Sequence, residues 1–125
     1  MTDTYKILGQ QKPAANVVAQ LVQSPSATNT SLSALSVVNT GASSATYSVY
    51  AVPSAELSYT TEIEITGTNT IWSVEEKHAL VKDKSITSGS HHELTGGLTL
   101  DGGDCIFVES NGSSTVFNAY GVEIS

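Results

Sequence analysis

Three groups of side chains in this sequence could take part in chemistry, and the histidines form the first group. His91 and His92 are adjacent, and His78 precedes them in the same half of the chain. Two metal ligands on one strand must occupy alternate positions, because neighbouring side chains point to opposite faces of a sheet. We therefore interpret the histidine pair as polar surface or turn residues, with a metal site that includes His78 as the alternative.

The acidic residues form the second group. Asp101-Gly102-Gly103-Asp104 places two carboxylates around two glycines, which could bind Ca²⁺, an ion that takes six to eight oxygen ligands. A turn between two strands explains the same four residues without a metal, and we prefer that interpretation. Glu62 and Glu64 share one face of a strand, as a pair of glycosidase carboxylates could. Because alternating apolar residues lie opposite them, we interpret that face, like Glu75-Glu76, as solvated surface.

The third group is a single thiol. Cys105 is the only cysteine, so neither an intrachain disulfide nor a zinc site built from cysteines can form. It opens the apolar run Cys105–Val108, where a buried and inert thiol is expected. The sequence contains no glycine-rich phosphate loop and no nucleophile elbow. We therefore expect no enzymatic activity and no cofactor.

The charge balance excludes two classes of partner. The 125 residues include 5 Lys, no Arg and 12 Asp plus Glu, for a net charge of −7. Nucleic acids and anionic membranes are bound through Lys and Arg, so we expect neither as a partner. The N-terminus has no apolar signal region and no apolar run is long enough for a membrane helix. We expect synthesis and folding in a reducing cytoplasm.

The charges are also unevenly distributed along the chain. No charged residue occurs from Pro13 to Ala55, whereas the following residues carry eleven acids and three lysines. The charge-free stretch contains too many regularly spaced apolar residues for a disordered linker. A surface made of hydroxyl groups and a surface covered by a partner both remain open for it.

Short runs rich in Val, Ile, Thr and Tyr, separated by Gly, Asn, Ser and Pro, predict an all-β domain. About ten short strands with frequent turns are typical of an antiparallel β-sandwich, either jelly-roll or immunoglobulin-like, over residues 1–125. The predicted strands are Thr4–Leu8, Asn16–Gln23, Ser31–Thr40, Ala45–Val52, Leu57–Thr66, Thr70–Val74, His78–Lys82, Ser85–Thr87, Ser90–Leu94, Leu98–Leu100, Cys105–Glu109 and Thr115–Ile124.

Some details of this prediction bear on where a site could form. Asn16–Gln23 is also the best helix candidate. Ser31–Thr40 and Ala45–Val52 are predicted to pair as a hairpin, and Asn111-Gly112 is predicted to form a tight hairpin turn. In Leu57–Thr66, alternation predicts that one face belongs to the core. The residues expected on that face are Tyr59, Thr61, Ile63 and Ile65.

Four segments resemble small virion structural proteins of tailed phages, cyanophages especially. They are the opening Thr4-Tyr5-Lys6-Ile7-Leu8-Gly9-Gln10 followed by Pro13-Ala14-Ala15, the strand Leu35–Gly41, the run Leu94–Asp104, and the ending Ser114–Ile124. The resemblance covers most of the chain except about Glu56 to Lys77. It implies a non-enzymatic β-sandwich that oligomerises on the virion, and it carries no catalytic residues.

We therefore expect a phage structural protein, most specifically a capsid decoration (cement) protein located on the virion. A tail, neck or baseplate component is the alternative within this class. The expected partners are other virion proteins, such as the major capsid protein, and further copies of the chain, with a trimer preferred over a dimer. Residues 1–15 could form an arm that pairs with a neighbouring subunit. A carbohydrate- or receptor-binding module, with Trp72, His91 and His92 facing the ligand, is the alternative from another class.

Overall fold

A computed structural model describes residues 3–65 and 67–124, with the backbone alone for 64, 68, 69 and 95–97. It contains ten strands and two short 3₁₀ helices, Ser54–Glu56 and Glu76–His78, and the described residues form no α-helix. No described helix could cross a membrane. The strands are β1 Asp3–Gln11, β2 Ala19–Gln23, β3 Asn29–Asn39, β4 Ala45–Val52, β5 Ser58–Glu64, β6 Gly67–Ser73, β7 Ala79–Ile86, β8 His91–Leu100, β9 Cys105–Ser110 and β10 Thr115–Ile124.

Eight of the strands form two four-stranded antiparallel sheets. The first sheet has the order β1-β10-β3-β8 and the second has the order β2-β9-β4-β7. The chain crosses from one sheet to the other at almost every connection, which is the connectivity of a jelly roll. The predicted all-β sandwich is therefore confirmed, with jelly-roll rather than immunoglobulin-like strand order. The hairpin β5–β6 is an insertion between β4 and β7.

The main core lies between the two sheets. Val37, Val49, Val108 and Phe117 are among its almost completely buried members. Ser33 is an extra residue in β3, since Leu32 pairs with Gly121 and Ala34 with Tyr120. After this bulge the side chains of β3 alternate in the opposite sense. Leu32 and Leu35 therefore both point into the core and are buried, while Ser33 is exposed.

The two predicted hairpins are wrong. β3 and β4 are consecutive but belong to different sheets, and so do β9 and β10. Neither Asn111 nor Gly112 has a positive φ, because a connection that crosses between sheets does not need the tight turn that an Asn-Gly pair favours. The loop is held instead by the Asn111 N–H, which donates to the Thr46 carbonyl at 3.1 Å.

Several strand boundaries also differ from the prediction. Residues 16–18 are neither strand nor helix: Ala15 and Asn16 form a turn, in which Asn16 has a φ of 61° and its N–H donates to the Ser110 carbonyl. The segments predicted as His78–Lys82 and Ser85–Thr87 form one strand, β7. Those predicted as Ser90–Leu94 and Leu98–Leu100 also merge, into β8. The pairing of β3 with β8 and of β4 with β7 contains register shifts, and these allow each longer strand to continue through the point where a break was predicted.

The predicted N-terminal arm is an edge strand of the first sheet. β1 pairs along its length with β10 of the same chain, from Asp3 opposite Ile124 to Gln11 opposite Phe117. Its other edge is the outer edge of that sheet. Pairing of β1 with a neighbouring subunit therefore stays a prediction. It would use the outer edge of β1, whose inner edge already pairs with β10.

The predicted core face of the fifth strand is wrong. Tyr59, Ile63 and Ile65 are 59 %, 93 % and 106 % exposed, and Thr61 is exposed as well. Among the described strands, β5 pairs with β6 alone, from Ser58 opposite Ser73 to Glu64 opposite Gly67. Alternation indicates a two-faced strand but does not say that another layer covers one of its faces. Thr66, predicted to end this strand, lies outside the described residues.

Candidate interaction surfaces

The base of the β5–β6 hairpin packs on the outer face of the second sheet. Trp72 lies against Phe107 with ring centroids 5.0 Å apart, and against Tyr59 at 5.3 Å. Trp72 and Phe107 belong to a second apolar cluster, in which Tyr50, Val52, Cys105 and Phe107 are buried. The described members that pack around them are Val18, Leu57, Trp72, Val74 and Ala79. The hairpin is thus anchored at its base by a small core of its own.

A polar cluster joins the two ends of the hairpin, and we call Glu56, Glu75, Lys77 and His78 the clasp. The Lys77 ammonium lies 2.5 Å from a Glu56 carboxylate oxygen and 3.4 Å from Glu75. His78 Nε2 faces Glu56 at 3.4 Å, and the Glu75 backbone N–H donates to His78 Nδ1 at 3.2 Å. The residues come from the two 3₁₀ helices that flank the hairpin. The clasp therefore holds together the points where the hairpin leaves and rejoins the sandwich.

The clasp is also where the structure brings potential metal ligands together. Ligand atoms of Glu56, Glu75 and His78 all lie within 4.8 Å of one another. However, the Lys77 ammonium already forms ion pairs with both carboxylates, and His78 uses both ring nitrogens in contacts. The hydrogen bonds that Glu56 accepts, first from Lys77 and then from His78, lower the pKa of its carboxyl, and the same Lys77–Glu56 bond raises the pKa of Lys77. These contacts assign the cluster to an ion-pair network.

The far end of the hairpin, which we call the tip, presents apolar side chains to solvent. Ile63 and Ile65 have the highest exposures among the large apolar residues of the described chain. Glu62 is also exposed, on the opposite face of β5, while the side chain of Glu64 lies outside the described set. Uncovered apolar patches on a folded domain mark sites of interaction. Sequence reasoning missed this site because the same residues are typical of a core strand.

Trp72, His91 and His92, predicted to face one ligand, lie in different surroundings. Trp72 is half-buried in the hairpin base. His91 and His92 begin β8, where His92 Nδ1 lies 2.8 Å from the Tyr47 hydroxyl and His91 is exposed. Burial raises the pKa of that hydroxyl. A shallow cleft of about 510 Å³ opens beside Tyr47 and His92, between edge strands β7 and β8, and Leu80 and Lys84 also line it.

The turn interpretation of Asp101–Asp104 is confirmed, because these residues join β8 to β9. Asp104 accepts hydrogen bonds from the Ser54 N–H at 2.9 Å and the Asp101 N–H at 3.0 Å, one at each carboxylate oxygen. One oxygen thus stabilises the backbone at the base of the hairpin, and the other stabilises the turn that contains Asp104. Cys105, next along the chain, is completely buried as predicted, and burial followed by the charge of Asp104 raises the pKa of its thiol to about 11.

No family model, no curated protein and no solved structure matches this chain. The phage resemblance therefore stays an expectation that rests on the quoted segments. The features of the chain that bear on its function are the jelly-roll scaffold, the anchored hairpin and its exposed tip.

Proposed function

We propose that this chain is a non-enzymatic structural subunit of a phage particle, most specifically a capsid decoration (cement) protein. A tail, neck or baseplate component is the alternative within the same class. The proposal is supported by the four segments that resemble virion proteins and by the jelly-roll strand order, which is frequent among viral capsid proteins. The observation that carries it is the apolar tip of the anchored hairpin.

The tip has the physical properties of an attachment point. Ile63 and Ile65 keep their side chains in water in the free chain, and covering each one stabilises a complex by about 1.5–3 kcal/mol. The aromatic base and the clasp hold the hairpin before any partner arrives, which lowers the ordering cost of binding. A partner with an apolar pocket would fit the two isoleucines. The partner that we propose is another virion protein.

The contacts within the other candidate groups favour a structural function over catalysis. In the described chain, Glu56, Glu75 and His78 are engaged with Lys77 and with one another. Asp104 is occupied by two backbone N–H groups. A general base or a nucleophile needs a free functional atom that can reach a substrate. The functional atoms of these groups instead bond to other groups of the same chain.

The decisive experiment locates the protein on purified particles. Mass spectrometry should detect the chain in particles, and labelled imaging should place it at regular positions on their surface. Ile63→Asp and Ile65→Asp should reduce incorporation at least about 30-fold, as for a residue at the centre of an interface. Leu80→Asp, which puts the same charge on a half-exposed apolar residue elsewhere, should incorporate normally. Particles that lack the chain would refute the proposal.

One observation keeps carbohydrate binding as a second candidate. Tyr59 stacks on Trp72 and remains 59 % exposed, so the hairpin offers an aromatic ring to solvent. Aromatic faces are common in ligand sites. A glycan array should then give a signal that Tyr59→Ala abolishes and Leu80→Ala preserves, and the absence of any signal would eliminate this candidate.

A further inference from the structure

The outer face of the β1-β10-β3-β8 sheet presents an apolar patch formed by two paired strands. Ile7 lies directly opposite Tyr120, and Tyr5 lies opposite Val122. Directly paired residues share one face of a sheet, so the four side chains are contiguous. Tyr5 is 80 % exposed, Ile7 60 % and Tyr120 38 %. We call these four residues the sheet patch.

The patch continues across the sheet into β3 with small and uncharged residues. Ala34 lies opposite Tyr120, Ser31 opposite Val122 and Val38 opposite Val116. These β3 residues come from the part of the chain between Pro13 and Ala55 that carries no charge. The outward-facing residues of β3 from that stretch and the sheet patch therefore form one face.

The charges that the structure describes on this face lie at its margins. Asp3 stands at the start of edge strand β1 and Glu93 is on edge strand β8, opposite Ser36. The chain as a whole has a net charge of −7, so two copies repel each other over most orientations. A face without charged groups at its centre is where two copies can approach with the least repulsion and without burying an unpaired ion.

We propose that a second copy of this chain docks on the sheet patch, with the charge-free face at the centre of the contact. Four strands of about ten residues span roughly 20 by 34 Å. Such a face approaches the roughly 800 Å² that each partner buries in a standard interface. Tyr5, Ile7 and Tyr120 supply the large apolar side chains that interface centres favour. The proposal concerns the chain in solution and does not depend on the phage function.

The test measures the mass of the purified full chain by light scattering and sedimentation from low micromolar concentration upward. The wild type should form a dimer or a trimer. Ile7→Asp and Tyr5→Asp should each raise the dissociation constant at least about 30-fold. Both side chains are exposed in the single chain, and unchanged circular dichroism and melting would show that the variants still fold. A wild type that remains monomeric throughout would overturn the proposal.

A matched control and a salt series identify the surface. Leu80→Asp makes the same change of charge at a 51 % exposed apolar residue outside the sheet patch, and it should leave the dissociation constant within about threefold of the wild type. Added salt should strengthen association, because it screens repulsion between acidic copies and weakens no ion pair at the contact. An oligomer that resists both patch variants, or that dissociates on addition of salt, would overturn the proposal.

Discussion

Replacing Trp72 with alanine should loosen the hairpin without unfolding the sandwich, and the chain contains its own reporter. Trp72 connects Phe107 on the second sheet to Tyr59 on the hairpin. Cys105 is a buried member of the same apolar cluster and the only cysteine in the sequence. A thiol reagent can react with Cys105 only when this cluster opens. The labelling rate therefore reports how often the hairpin base separates from the sheet.

The expected size of the effect follows from the burial of the indole. A tryptophan that is half-buried removes on the order of 100 Å² of apolar surface from water, which at about 25 cal/mol per Å² amounts to about 2.5 kcal/mol. The neighbouring apolar side chains move partly into the space that the indole leaves, and this reduces the lost free energy to about 2 kcal/mol. The opening equilibrium then shifts about 30-fold towards the open form, and the labelling rate should rise by that factor.

The assay follows thiol labelling at pH 8 without denaturant, in parallel with chemical unfolding of the same proteins. Trp72→Phe should restore most of the protection, because it keeps an aromatic contact with Phe107. Leu80→Ala, a half-exposed apolar residue outside this cluster, should label at the wild-type rate. If Trp72→Ala labels no faster than the wild type, the hairpin does not protect the cluster and our reasoning about its anchoring is wrong.

Three further predictions concern single groups. The Cys105 thiol has its pKa raised to about 11 from a reference of 9.0, so its contribution to stability should be lost as the pH rises from about 9 to 11. That loss should amount to about 3 kcal/mol, and the difference between wild-type and Cys105→Ala unfolding curves should isolate it. Gly121→Ala should destabilise the fold by about 3 kcal/mol or more, because the new Cβ would lie 2.0 Å from the Ser31 carbonyl oxygen; a wild-type denaturation midpoint would contradict this. Asp104→Ala removes the acceptor of two backbone N–H groups and should cost about 1–3 kcal/mol in denaturant unfolding, whereas unchanged stability would mean that water replaces both bonds.

Much of the strand content could be predicted from local pattern. β4 and β10 begin and end where the alternation predicts, at Ala45–Val52 and Thr115–Ile124. The strand order could not be predicted in the same way, because pairing joins segments far apart in the chain. The Asn111-Gly112 pair shows this limit of local pattern. Its preference for a tight turn depends on neighbouring residues, whereas the pairing of the strands on either side of it depends on segments far away in the chain.

The candidate site depended even more on tertiary structure. Tyr59, Ile63 and Ile65 have the types and spacing of core residues, and they are exposed only because no other described layer covers that face of the β5–β6 hairpin. The clasp joins Glu56 to Lys77 across the whole hairpin, and no short-range pattern relates residues so far apart.

The sequence by itself determined the all-β class, the single buried thiol and the separation of a charge-free stretch from an acidic half. These follow from side-chain type and from the two-residue period of strands, which are properties of the chain before it folds. Only the tertiary structure decided which apolar faces are covered, because burial depends on what the other strands place above each face. The same alternation therefore produced a buried core in β3 and β4 and an exposed tip in β5.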